Sequence, residues 1–229
     1  MSLMIVLLSL GCKDIKFLEI DNTLHHEFLI IEIQCLFLRK FRAMHIDSIL
    51  DRIYTIPTSS KEKIRVLITE ISLPKGFLLM EAGKRTPYLY FVKKGIVRAY
   101  SIVNDSEVTF WFGSEGETIL SMRSYVDDKT SYESIELLED CDLYRLKSSD
   151  LQKLYETDIH IANWGRKYAE KELMKTEEIF ISRQFKTASE RYKDLLKTRP
   201  ELLQRVSLGN IASYLGITQV SLSRIRTDV

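Results

Sequence analysis

From about Leu73 the chain gives up helical spacing of its apolar residues and moves in short alternating runs broken by glycine, as far as Leu146. That change of period constrains the fold more than any other feature. Tyr88 to Lys93 and Ile96 to Val103 read as strands joined at Lys94-Gly95, and Asn104-Asp105 is a turn. Val108 to Phe112, Ser134 to Leu138 and Leu143 to Leu146 are three further strands. Short strands at roughly 8–12-residue spacing close into a small antiparallel sandwich or barrel. Helical spacing flanks this region. Ile46, Ile49, Leu50 and Ile53 precede Pro57, and Ile64, Leu67 and Ile68 follow it, which predicts helix from His45 to about Ile71. Helix is predicted again from Ser149, over roughly Asp158 to Ser182, and from about Thr187 to Lys197, stopping before Arg199-Pro200. The class is α+β.

Near the C-terminus stands GNIASYLGITQVSLSRIR, Gly209 to Arg226. Ile211, Ala212 and Leu215 share one helical face, and Gly216 follows where a helix commonly ends at positive φ. Thr218 is a good N-cap for a second helix whose apolar face is Leu222 and Ile225, and Ile217 can plug the angle between the two. This is the layout of a helix-turn-helix. The second helix offers Gln219, Val220, Ser221, Ser223 and Arg224, all compact or hydrogen-bonding side chains that fit a major groove, and none is acidic. An ordinary surface hairpin would tolerate acids there freely.

Charge matters through its distribution, because 33 basic and 32 acidic residues nearly cancel. From Ser182 to Val229 nine Lys and Arg face four acids, a balance of +5, on a body that is mildly acidic. A basic module of this kind suits attraction to a phosphate backbone. Cys12, Cys35 and Cys141 are too widely spaced for a disulfide framework or a zinc site, and the four histidines form no ligand set. No cofactor is expected, and a reducing cytoplasm is the default. No nucleophile elbow, P-loop or paired-carboxylate motif suggests catalysis. The opening MSLMIVLLSLGC resembles a short apolar signal core without the basic n-region, and no run is long enough to span a bilayer. Residues 1–43 are read as an extension from an upstream start, with a genuine leader or anchor as the alternative.

The order of parts resembles the Crp/Fnr family of bacterial transcription regulators. The residues that carry the resemblance are LPKGFLLMEAG, LYFVKKGIVRAY and the C-terminal helix-turn-helix, and it covers about Met44 to Arg226. It implies a cyclic nucleotide-binding-like β-roll over residues 44–157, a connecting and dimerisation helix over 158–182, and a DNA-binding domain over 183–229. Gly76, Gly83 and Gly95 match turns of the roll. Gln219, Val220 and Arg224 match positions that touch base edges, while Thr218 and Ser221 match neighbours that touch phosphate. Double-stranded DNA and a second copy of the chain are the implied partners, with no role for a membrane. Ala162, Ala169, Leu173 and Phe180, near heptad spacing and interrupted by Arg166 and Thr176, suit either an intrachain strut or a dimer seam, with the seam somewhat favoured.

Two departures qualify the resemblance. Family members that bind cyclic nucleotides carry a Gly-Glu pair and then an Arg-Ser pair after a short helix. Gly116-Glu117 begins a plausible cassette here, but Thr130-Ser131-Tyr132-Glu133 stands where the arginine belongs. An acid repels a cyclic phosphate, and nothing supplies the arginine fork; Arg123 is a poor substitute from its place in the short helix. The candidate effector residues are Gly116, Glu117, Thr118, Ser131, Tyr132 and Glu133, for an effector other than cyclic AMP or for none. The second departure is that Thr227-Asp228-Val229 is too short for the β-hairpin wing that usually follows the recognition helix. The leading expectation is a sequence-specific DNA-binding regulator. The alternative is a β-roll ligand-binding or interaction protein with a vestigial DNA-binding domain.

Overall fold

Pro57 has a fixed φ and no N–H to give, and it separates two short helices. These are α1 (Ile46–Ile53) and α2 (Thr58–Arg65) in the computed structural model, which describes residues 43–227. The reading of residues 1–43 as an extension therefore falls almost wholly outside the described residues. Ile46, Ile49, Leu50 and Ile64 are buried, as the spacing predicts. Helix does not continue to Ile71, however. Instead Thr69–Leu73 forms strand β1, paired antiparallel with β8 (Cys141–Lys147) so that Ile71 faces Leu143. Alternating β-branched residues and an available neighbouring strand override the helical spacing of Leu67 and Ile68.

The remaining strands are β2 (Leu78–Met80), β3 (Tyr88–Lys94), β4 (Val97–Val103), β5 (Ser106–Gly113), β6 (Thr118–Ile119) and β7 (Ser134–Leu137). They form two four-stranded antiparallel sheets, in the orders β1-β8-β3-β6 and β2-β7-β4-β5. Asn104 and Asp105 both take positive φ in the two-residue turn between β4 and β5, as a tight hairpin demands. β3 shows how the sheets are packed. Tyr90 and Val92 point into the core between the sheets with Ile119, Ile135 and Leu143, while Leu89 and Phe91 point outward into a second core. A strand buried on both faces needs a continuous apolar run, and YLYFV supplies it.

That second core is covered by α1, α2, α4 (Ser148–Thr157) and the first turns of α5 (Ile159–Phe185). Asp158 caps α5, accepting from the backbone N–H groups of His160 and Ile161 and from Ser60 Oγ. Lys63 lies 2.8 Å from the Asp158 carboxylate and, with these bonds, holds its pKa down at about 2. Trp164 is fully buried beside Phe91, and its indole N–H donates to Leu50 O at 3.0 Å. Beyond Trp164 the helix loses its cover: Leu173, Met174, Phe180, Ile181 and Phe185 are all exposed. The short helix α3 (Met122–Asp127) follows β6. Four helices complete the described chain: α6 (Ala188–Thr198), α7 (Leu202–Arg205), α8 (Leu208–Leu215) and α9 (Gln219–Thr227). No described helix is long and apolar enough to cross a membrane.

Candidate nucleic-acid interface

The joint between α8 and α9 is built from the residues the spacing singles out. Ser207 caps α8 by accepting from Asn210 N–H, and Gly216 ends it at φ 68° in the left-handed region. Ile217 is partly buried against the core formed by Ile211, Ala212, Leu215 and Leu222. Thr218 then starts α9, its hydroxyl accepting from Ser221 N–H at 3.1 Å and sharing a hydrogen bond with Ser221 Oγ. With Leu222 fully buried, the opposite side of α9 is bare. Thr218, Gln219, Val220, Ser223 and Arg224 are exposed, Val220 at 63%, and Ser221 is intermediate. Among the described residues the side chains of Gln219, Ser223, Arg224 and Arg226 take no hydrogen bond and no ion pair. Asp228, the acid nearest Arg224 in sequence, lies outside the described residues.

The charge of this module is spent less freely than its sequence suggests. Arg183 and Arg191 donate to backbone carbonyls of Tyr214 and Leu215, and Lys186 pairs with Asp194 at 2.6 Å. Arg199 donates to Phe112 O and Ser114 Oγ. Arg205 pairs with Glu115 and Glu139. Lys193, Lys197, Arg224 and Arg226 are the basic residues of the module left without a partner among the described residues. Sequence reasoning missed this division entirely. Its only visible signal was that the acids meeting Arg205, Glu115 and Glu139, sit beside turns of the strand-rich half.

The candidate effector residues divide into two places. Gly116 and Glu117 form the turn ahead of β6, where Val92 N–H donates to Glu117 O and Gly116 N–H to Val92 O. Thr118 lies in β6 opposite Phe91, with its hydroxyl buried and unpartnered. Ser131, Tyr132 and Glu133 lead into β7 of the other sheet. Ser131 bonds Gly83 and Lys84 through its backbone and Glu133 through its hydroxyl, and Tyr132 lies 6.1 Å from the Phe110 ring. No hydrogen bond joins the two groups among the described residues. Glu133 is only 5% exposed, and its Oε2 has no hydrogen-bond partner. No group of three or more His, Cys, Asp or Glu side chains is gathered as a metal site among the described residues.

Comparison with known proteins agrees with this architecture. Residues 70–158 match the cyclic nucleotide-binding domain family. FixK2 from Bradyrhizobium japonicum is similar at 25% identity and TM-score 0.60, over 70% of this chain and 83% of that one. The c-di-GMP responsive global regulator CLP of Xanthomonas campestris is similar at 19% identity and TM-score 0.61, over 75% and 91%. The Thermus thermophilus catabolite activator protein is similar at 19% identity and TM-score 0.51, over 79% and 85%. No curated protein matches the sequence. The likeness to Crp/Fnr regulators drawn from the sequence holds for the fold: a cyclic nucleotide-binding-like roll, a long helix and a helical head.

Proposed function

We propose that this chain, which carries a cyclic nucleotide-binding domain in the architecture of the Crp/Fnr regulators, is a dimeric transcription regulator that reads double-stranded DNA with α9. The observation that carries the reading is the exposed side of α9. It presents an arginine, a glutamine and two serines with no acid and, for Gln219, Ser223 and Arg224, no side-chain partner among the described residues. Gln219, Val220, Ser223 and Arg224 would meet base edges, and Thr218 and Ser221 phosphate. Leu173, Met174, Phe180 and Ile181, two pairs each seven residues apart on α5, form an uncovered stripe that a second copy would bury. Two heads related by that seam would meet two half-sites about one helical turn of DNA apart.

The roll acts as the sensor, but not for cyclic AMP. Thr130-Ser131-Tyr132-Glu133 supplies no guanidinium to hold a cyclic phosphate in a bidentate fork, and the buried Glu133 side chain brings no cation there. Genomic pull-down with sequencing tests the DNA reading, with recovery of one palindromic motif as the expected result. Recovery of unrelated fragments at background level would overturn it. Calorimetric titration with cyclic AMP and cyclic GMP is expected to show no heat of binding, and micromolar affinity for either would overturn the exclusion of cyclic nucleotides.

A further inference from the structure

The head is held to the roll by more than the chain that connects them. Phe112 and Ile96 of the roll are buried in the core of the head, beside Leu195, Leu202 and Tyr192. Ser213 of α8 accepts from Thr109 N–H at 2.9 Å and donates to Glu107 O at 2.8 Å, so it bonds β5 as a neighbouring strand would. At the other edge of this contact stands Arg205, the last residue of α7. Its guanidinium donates to both oxygens of Glu115, at 2.8 and 3.0 Å, and to Glu139 at 2.6 Å.

What those two carboxylates belong to gives the cluster its meaning. Glu115 lies in the β5–β6 turn, immediately before Gly116-Glu117, and Glu139 lies in the β7–β8 turn. Glu115 also accepts from Gly95 N–H of the β3–β4 turn at 2.9 Å. Gly95 has φ 114°, and a Cβ there would meet Cys141 Sγ at 2.3 Å, so only glycine lets this turn come so close. One arginine of the head is thereby tied to three turns at one end of the roll. Glu115 is 8% exposed, so the pair is shielded from competing water and salt.

We infer that Arg205, through Glu115 and Glu139, is the coupling that fixes the head on the roll and so sets the spacing of the two recognition helices. A shift of the three turns moves the guanidinium, and with it the head. This inference rests on the dimeric DNA-binding reading above. Held in register, the second head finds its half-site already placed, and binding of the full site gains from that effective concentration. A released head loses the gain but keeps its contacts to a single half-site.

The test uses the full chain and the duplex recovered by pull-down, as a two-half-site probe and as an isolated half-site. For Arg205→Met the full-site affinity is expected to fall about 10-fold or more, while the half-site affinity stays within about twofold. The radius of gyration measured by small-angle X-ray scattering should rise as the heads tilt about their remaining contacts at Phe112 and Ser213. An unchanged ratio of the two affinities, a tighter full site, or an unchanged radius in a folded variant overturns the coupling. Should Arg205→Met fail to fold, Glu139→Gln removes one of the two negative charges facing the guanidinium and is expected to shift the same ratio by less; no shift overturns the proposal. Failure of the wild-type protein to bind the half-site would refute the DNA reading instead, and scattering alone would then decide the coupling.

Discussion

α8 and α9 are adjacent helices of similar length in one small domain, yet they use their polar side chains in opposite ways. Asn210 and Ser213 of α8 are taken up by Arg98, Thr109 and Glu107 of the roll. Gln219, Ser223, Arg224 and Arg226 of α9 take no partner among the described residues. Both helices bury an apolar face in the same core, at Ile211 and Leu215 on one and Leu222 on the other. Packing explains why both are helices, then, but not why their outer faces differ. A polar face already bonded to its own chain is part of the fold, whereas a bare one is available to something outside it. The distinction also divides the basic residues: Arg199 and Arg205 belong to the fold, Arg224 and Arg226 to the surface.

The strongest way to break this comparison is to attack the side of α8. Phe112 is fully buried and lies 5.2 Å from the Tyr214 ring. Phe112→Ala should cost about 3–5 kcal/mol of unfolding free energy in urea titrations. A loss below about 1 kcal/mol would mean that the contact between head and roll is incidental.

On α9 the expectation is reversed. Arg224→Ala should weaken binding to a matched site about 10-fold, near 1.4 kcal/mol, and relax preference at one base pair of each half-site. Arg226→Ala should weaken matched and scrambled sites alike. Gel-shift titrations on both kinds of site read this directly, and equal losses from Arg224→Ala on both would remove its base-reading role. Urea midpoints of the two variants should stay at the wild-type value.

The joint between the helices should show a smaller effect. Gly216 has open space around the position of a Cβ, so Gly216→Ala meets no clash and should cost only about 1 kcal/mol of backbone strain. Gly216→Asn should cost less, since asparagine tolerates the left-handed region. A loss of several kcal/mol on thermal unfolding would point to packing at the joint that the structure does not show.

The gentlest test is acidification, which acts on the roll side of the head and not on α9, where Gln219–Thr227 contains no acid. Burial alone would raise the Glu115 carboxyl, but Arg205 and the Gly95 N–H outweigh it and hold it below the usual value of 4.5. A folded pKa below the unfolded one means that the pair stabilises fully above that range and ceases to as pH falls through the depressed value. Arg52 meets Glu115 at its backbone carbonyl rather than its carboxylate, and Glu139 shares Arg205, so the guanidinium is the group to remove. The stability gap between wild type and Arg205→Met should narrow as pH falls from neutral through the usual carboxyl value of 4.5 and on through the depressed one. A gap that stays constant across that range would show that the pair contributes nothing through its charge.

Much of this was legible before any coordinates. Short-range rules govern a glycine at positive φ, a threonine cap or the ends of a strand, and Gly216, Thr218 and the strand at Tyr88–Lys94 were each placed within a residue or two. Thr69 to Ile71 were misread as helix because Leu67 and Ile68 continue a helical spacing, while the strand they join, β8, lies some seventy residues away. The division of the arginines was hidden for the same reason. Local sequence by itself determined that α8 and α9 would form and meet at Gly216, since propensity, capping and spacing all act within a few residues. Only the tertiary structure decided that Arg205 would find Glu115 and Glu139 while Arg224 would find no partner among the described residues, because a charge is spent or spared by whatever the rest of the chain brings beside it.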